Sequence, residues 1–141
     1  MDEQSKKREI LDKLTINDDD LFKELEELAN LALPLVRFHK DSGVIMLSKN
    51  YNFTIYEKLI LYAIGKYFIK EYGLAEDFGF GIEEMKEATR IPKKTSISKY
   101  KDKAIVDKII QKDKYGVYRI NILKIESKLS EIREKYKVME N

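Results

Sequence analysis

The sequence predicts a mainly α-helical domain that also contains short β-hairpins, an α+β fold. Three patterns carry this prediction. A Thr-x-x-Glu capping box opens a long apolar helix, and two apolar runs of strand character each border a turn sequence. The C-terminal segment repeats apolar residues at intervals of three and four positions. Together these patterns indicate a long helix in the centre of the chain, a hairpin on either side of it and a C-terminal helix.

Length and composition are those of a single domain. The 141 residues, 43% of them hydrophobic, are enough for one core. No apolar run reaches the roughly 18 residues of a membrane span, and the N-terminus lacks the apolar stretch of a secretory signal. The absence of cysteine excludes disulfides, thiolate zinc sites and thiol nucleophiles. We therefore expect a soluble, cytoplasmic protein.

Residues 1–50 are predicted to form a helix followed by a β-hairpin. Asn17 and the acids after it suit a helix N-terminus, and Pro34 ends the helix. Apolar residues recur at helical spacing in between: Leu21, Leu25, Leu28 and Ala32. Alternation over 36–38, the turn "KDSG" and an apolar run over 44–47 then predict the hairpin. We expect this part to provide packing, dimerisation or partner contacts.

The centre of the chain is predicted to hold the main core helix. Thr54 and Glu57 form the capping box, in which each side chain satisfies an N–H of the first turn. The helix is apolar around much of its girth and stops near Gly73, so we expect it inside the core. A loop and a short helix follow, with Ile82, Met85 and Ala88 predicted to face inward.

The next segment is strongly basic. A second helix is predicted over 94–111, and "DKYGV" then turns the chain into a strand over 117–122. Between Arg90 and Ile120 there are ten basic and three acidic residues, a net charge of +7, while the remainder of the chain carries −5. Such an oriented field attracts anions, although a basic run is often only a solvated face.

The order of these elements resembles the winged helix-turn-helix family. The sequence passes from a short helix through a turn ending in "IP" to a second helix that begins "KKTSIS". The pair "II", a basic turn and "YRI" follow. Ile97 and the pair at 109–110 reproduce the family's apolar spacing in the second helix, with Ala104 in the slot between. The resemblance covers about 54–121. It implies a winged helix-turn-helix with a small β-hairpin, or wing, flanked by N- and C-terminal helices.

Two residues depart from the family pattern. Lys108 stands where the family commonly has a glycine that ends the second helix. Lys101 occupies a slot that is usually apolar, so either Tyr100 or the lysine's own aliphatic stem is expected to cover that patch.

By the same resemblance, residues 51–122 are expected to bind double-stranded DNA. The helix over 94–111 would enter the major groove, its lysines would grip phosphates, and the turn over 112–120 would contact the adjacent backbone or minor groove. No Asn or Gln lies on the reading face, so phosphate contacts are expected to supply most of the affinity. The residues expected at the DNA are Lys93, Lys94, Thr95, Ser96, Ser98, Lys99, Lys103, Lys112, Lys114, Tyr115 and Arg119.

The resulting hypothesis is a transcriptional regulator that binds duplex DNA specifically or semi-specifically. Two alternatives stay open: an adaptor that uses the same domain to dock an acidic partner protein, and an accessory factor that binds duplex without sequence preference. No cofactor is expected, and the sequence identifies neither an effector nor a target site.

The C-terminal segment, 123–141, is predicted to be helical to about residue 139. Its apolar residues follow coiled-coil spacing: Ile122, Ile125, Leu129, Ile132, Tyr136 and Met139. We expect a homodimer through Ile125, Leu129, Ile132 and Tyr136. The alternative is that the same stripe packs on the helix that begins at Thr54 in its own chain.

No pattern in the sequence predicts an enzyme. His39, the one histidine, lies in the predicted hairpin without metal-ligand partners at helical spacing. The acids at 18–20 are ordinary at a helix N-terminus, and "GFG" at 79–81 lacks the Lys-Ser/Thr of a phosphate-binding loop. Glu83, Glu84 and Glu87 indicate a solvated helix face, so no catalytic or metal-binding residue is proposed.

Overall fold

In the computed structural model, which describes residues 2–15, 18–91 and 94–138, the chain is mainly helical with two short antiparallel hairpins. This confirms the predicted α+β class. None of the helices in these ranges is long and apolar enough to cross a membrane. In chain order the elements are α1 (Glu3–Asp12), α2 (Asp18–Ala32), β1 (Val36–Phe38), β2 (Ile45–Leu47), α3 (Ile55–Tyr72), α4 (Ile82–Thr89), α5 (Lys94–Val106), β3 (Ile110–Lys112), β4 (Tyr118–Ile120), a 3-10 turn (Ile122–Lys124) and α6 (Ile125–Lys135).

Helix α3 is the centre of the core, as predicted. The Glu57 N–H donates to Thr54 Oγ1 at 3.1 Å, and the Thr54 N–H donates to Glu57 Oε1 at 2.8 Å, which completes the capping box. Leu61 and Ile64 in its middle are fully buried. The helix ends at Gly73, whose φ of 97° is left-handed and therefore suits glycine. Both predicted ends are confirmed because the signals for them are local.

The first hairpin packs on α3. Val36 pairs with Leu47 and Phe38 with Ile45 across β1 and β2. Val36 and Ile45 are buried, whereas the middle residue of each strand is exposed. In the turn, His39 Nδ1 accepts from the backbone N–H groups of residues 41 and 42, both at 3.3 Å. The predicted hairpin is confirmed, and His39 belongs to its turn.

Helix α4 buries a face that differs by one position from the predicted one. Met85 is buried and Ile82 is half-buried, but Ala88 is exposed and Thr89 is buried in its place. The Thr89 hydroxyl donates to the Met85 carbonyl oxygen at 2.7 Å, which satisfies its polar group inside the core. The prediction for Ala88 was therefore wrong, because a buried threonine can pair with the backbone of its own helix.

Helix α5 ends at Val106, so the predicted span of 94–111 was too long. Lys108 adopts a left-handed φ of 60°. Its N–H donates to the Ile105 carbonyl at 3.0 Å, and the N–H of residue 109 donates to the Ala104 carbonyl at 2.9 Å. These two bonds form a Schellman motif, which stops the helix. The buried pair at 109–110 leads into β3 instead of ending the helix.

Replacing Lys108 with glycine is expected to raise the free energy of unfolding by about 0.5–1 kcal/mol, because glycine adopts the left-handed conformation without a steric penalty. Urea denaturation measures this change. Lys108→Ala is the matched control, since it removes the charge but keeps the strain, and it should bring no gain. Equal effects of the two substitutions would contradict the assignment.

Helix α6 packs inside its own chain. Ile125 and Leu129 are fully buried and Ile132 is 4% exposed, and the helix contacts both α2 and α3. Tyr136, just after the helix, donates its hydroxyl to Glu57 and to the Asn52 carbonyl. In this chain the stripe packs on α2 and α3, which is the intrachain alternative, and the homodimer stays a prediction. The predicted coiled-coil position at residue 139 lies outside the described residues.

A candidate nucleic-acid interface

Helix α5 presents a polar face away from the core. Ile97 and Ala104 are fully buried and face α3, as the spacing predicted. Lys99 and Lys103 are exposed on the other side, and Ser98 is half-buried at the edge. The outward face of the helix is therefore cationic and accessible to a partner.

The start of the predicted reading helix is described only in part. Lys93 lies outside the described residues. Lys94, Thr95 and Ser96 form the first turn of α5 by their backbone, but the description does not extend to their side chains. The roles predicted for these four residues stay predictions.

Two tyrosines lie beside the outward lysines, and the sequence reasoning did not single out the first of them, Tyr56. Lys103 Nζ is 4.6 Å from the centre of the Tyr56 ring, and Lys99 Nζ is 5.8 Å from that of Tyr100. The Tyr56 hydroxyl donates to Asp107 Oδ2 at 2.9 Å. Burial, followed by this hydrogen bond, raises the pKa of Tyr56, so the phenol stays a neutral donor. The two neutral rings therefore lie beside the ammonium groups of Lys99 and Lys103 and leave their charge unchanged.

The second hairpin carries the other exposed lysines. Lys112 and Lys114 are exposed at the turn. Tyr115, which follows them and precedes β4, is 77% exposed. Asp113 Oδ1 accepts the N–H groups of Tyr115 at 2.8 Å and of residue 117 at 3.0 Å, which closes the turn. The hairpin turn thus exposes two cations and one aromatic ring.

Four exposed lysines, two on α5 and two on the β3–β4 hairpin, are together called the basic face. Among the side chains that the structure describes, which leave out those of 16–20 and 92–96, no carboxylate lies at ion-pair distance from any of their ammonium groups. Asp102, the acid on the same side of α5, is 3.6 Å from Lys101 instead. The basic face consists of Lys99, Lys103, Lys112 and Lys114.

Arg119 pairs with two carboxylates, and the DNA contact expected of it stays a prediction. Its NH1 group donates to Asp113 Oδ2 at 2.8 Å, and its Nε donates to Asp77 Oδ1 at 3.0 Å. Asp77 lies in the loop before α4, 42 residues away in sequence. Two carboxylates therefore neutralise the guanidinium, and the resulting bridge ties the hairpin to that loop.

The bridge predicts a pH dependence at the hairpin. Hydrogen bonds from Arg119 lower the pKa of Asp77 from 3.8 to about 2. Asp77 in the unfolded chain therefore binds its proton at higher pH than in the folded chain. The stabilisation of the folded state by the ionised Asp77 is complete above about pH 4 and declines as the pH falls towards about 2. A carboxyl NMR titration should place the Asp77 midpoint near pH 2, and Arg119→Gln should return it towards 3.8. A normal midpoint in the unsubstituted chain would contradict the bridge.

Lys101 fills the apolar slot with its own stem, one of the two predicted solutions. Its side chain is only 18% exposed, and its Nζ lies 5.5 Å from the centre of the Tyr118 ring. The aliphatic stem covers the patch between α5 and β4 while the ammonium group reaches its edge. Lys101 therefore belongs to the packing of the hairpin on α5.

Comparison with protein-family models, with curated proteins and with solved structures finds no match to this chain. Among the side chains that the structure describes, which exclude those of 18–20, no three from His, Asp or Glu are placed to hold a metal ion. A functional proposal therefore rests on the basic face and on the elements that position it.

Proposed function

We propose that the chain is a winged helix-turn-helix protein that binds duplex DNA and acts as a transcriptional regulator. The observation that carries this proposal is the basic face, in which α5 and an adjoining hairpin turn present four exposed lysines on one segment of the chain. The rest of the chain carries net negative charge, so the field of the molecule is oriented. The proposal is of a non-enzymatic, cytoplasmic protein.

The order and pairing of the elements support a winged helix. Helices α3, α4 and α5 precede the β3–β4 hairpin, and α3 packs against both other helices and against β4. Phe80, in the loop before α4, exchanges two backbone hydrogen bonds with Tyr118 of β4, at 2.9 and 3.0 Å. This bridge gives the hairpin a third backbone partner. A helix-turn-helix with an attached wing accounts for this arrangement.

The chemistry of the basic face favours contact with phosphates. Lysine is a point charge that binds a phosphate oxygen without demanding one geometry, and its flexible stem follows the groove. Helix α5 has the diameter that the major groove accepts, and Ser98 lies at the edge of its outward face. Affinity would come mainly from the backbone of the DNA, with base contacts limited to the first turns of α5.

Duplex binding at two salt concentrations tests the proposal. Four phosphate contacts give a slope of roughly −3.6 in log K against log salt, so affinity should fall about a hundredfold between about 50 mM and 200 mM salt. Fluorescence anisotropy with a labelled duplex measures it. Absence of binding at the lower salt concentration, or binding that is independent of salt, would overturn DNA binding. Selection from random duplexes separates a regulator, which enriches a motif, from an accessory factor, which does not.

One observation favours the alternative of an adaptor for an acidic partner protein. Val106 is 78% exposed at the end of α5, next to the basic face, where a phosphate backbone would leave it uncovered. A protein partner could bury such a side chain and pair its carboxylates with the same lysines. A competition experiment tests whether the two ligands share a surface. Duplex DNA should displace a bound acidic peptide only if both ligands bind the basic face.

A further inference from the structure

Helix α1 keeps its apolar side chains uncovered. Ile10 is 63% exposed and Leu11 56%, and Leu14, just beyond the helix, is 79% exposed. No residue of α1 is buried. A helix of ten residues is marginally stable in water without tertiary packing, so its apolar side is a candidate contact surface.

A second uncovered apolar surface lies between α2, α3 and the start of α6. It is a groove of about 610 Å³, which we call the acidic groove. Four large side chains line it and remain strongly exposed: Leu21 at 50%, Phe22 at 67%, Ile122 at 46% and Leu123 at 89%. Such a concentration of exposed apolar side chains indicates a surface that another element covers.

The two surfaces are complementary in charge. Helical geometry places Lys7 on the same side of α1 as Ile10 and Leu14, with Lys6 and Arg8 at its two edges. Glu3 is the one acid of α1 on this side, so the side keeps a net positive charge. Carboxylates border the acidic groove, those of Glu24, Glu27, Glu71 and Glu126. Burial, and then the charges of Glu71 and Glu24, raise the pKa of Tyr67 in the groove wall, which reports a negative local potential.

We propose that α1 of a second copy of this chain occupies the acidic groove, and that the exchange is reciprocal. In a single molecule both apolar surfaces stay open, because the chain's own α1 keeps its side chains in solvent. A two-fold pair covers both at once, since each copy supplies one helix and one groove. The homodimer predicted from sequence thus forms through α1 and the acidic groove rather than through the buried apolar stripe of α6, and it does not depend on DNA binding.

Disulfide trapping tests this arrangement, because the chain contains no cysteine of its own. Ile10→Cys and Leu123→Cys are made in separate full-length chains, one with a size tag, and the two are mixed and oxidised mildly. We expect the mixed covalent dimer as the main product. Val44→Cys, at an exposed site on the first hairpin, replaces Leu123→Cys in the control and should give little product. Equal yields in both mixtures would overturn the proposal.

A doubly substituted chain, Ile10→Cys with Leu123→Cys, distinguishes the occupant. A covalent dimer supports the second copy. An intramolecular disulfide at monomer mass would show that α1 folds back into its own groove, and that result overturns the proposal. DNA binding is unaffected by either result, so this failure is separable from a failure of the proposed function.

Sedimentation equilibrium of the cysteine-free chain, without DNA, gives the independent measurement. Reversing Lys6, Lys7 and Arg8 to glutamate should raise the dimer dissociation constant at least tenfold, and no buried side chain is lost in α1. Adding Glu24→Lys, Glu27→Lys and Glu126→Lys to that variant should restore dimerisation. A monomeric unsubstituted chain, or reversal without effect, overturns the proposal.

Discussion

Reversing Lys99 and Lys103 to glutamate is expected to lower the affinity for duplex DNA by at least a hundredfold at about 0.1 M salt. Each neutralised phosphate contributes roughly tenfold at that salt concentration relative to 1 M, and the new carboxylates add repulsion. The slope of log K against log salt should decrease by about 2, one unit for each lysine. Fluorescence anisotropy titrations at several salt concentrations measure both quantities.

The matched control reverses two exposed lysines on the first hairpin. Lys40→Glu with Lys49→Glu makes the same change in net charge, so a nonspecific effect of charge would appear equally in both variants. We expect the control to bind DNA within about threefold of the original chain, because these lysines lie outside the proposed contact. If the α5 variant bound as tightly as the control, the basic face would not be the DNA-binding surface.

Replacing Leu129 with alanine is expected to lower the free energy of unfolding by about 3–5 kcal/mol, because the side chain is fully buried between α6 and the rest of the core. Urea denaturation followed by circular dichroism measures the loss. Val44→Ala is the control, since that side chain is 57% exposed and lies outside the acidic groove, so its truncation should change stability by about 0.5 kcal/mol or less.

The same substitution separates a core helix from a dimer seam. If α6 packed on a second copy, Leu129→Ala would reduce the solution mass at concentrations where the chain is still folded. With α6 in its own core, the folded variant keeps the mass of the original chain. A fall in mass without loss of monomer stability would contradict the placement of α6.

Much of the fold follows from local signals in the sequence. The capping box at Thr54, the left-handed Gly73 and the turn around His39 each act within a few residues, so pattern alone places them correctly. The end of α5 could not be placed in this way. A lysine at 108 takes the left-handed position, and the apolar pair after it continues the helical periodicity into a strand.

The candidate site likewise combines features that local sequence patterns predict with features that arise only in the folded chain. Periodicity alone places Lys99 and Lys103 opposite Ile97. It does not reveal that Arg119 is neutralised, because Asp77 approaches it only through the folded chain. Nor does it distinguish the two uses of the α6 stripe, since a helix shows the same spacing whether it covers its own core or a second copy.

The carboxylate bridge from Asp77 through Arg119 to Asp113 has a consequence for the turn that it holds. Because these bonds join the β3–β4 hairpin to the loop before α4, the turn that contains Lys114 and Tyr115 is held in place at its base. A hairpin held in this way loses little backbone entropy when a ligand binds, and such preorganisation strengthens binding without any added contact. Asp77→Asn should therefore increase the backbone mobility of the turn at 114–115, although residue 77 lies outside that turn.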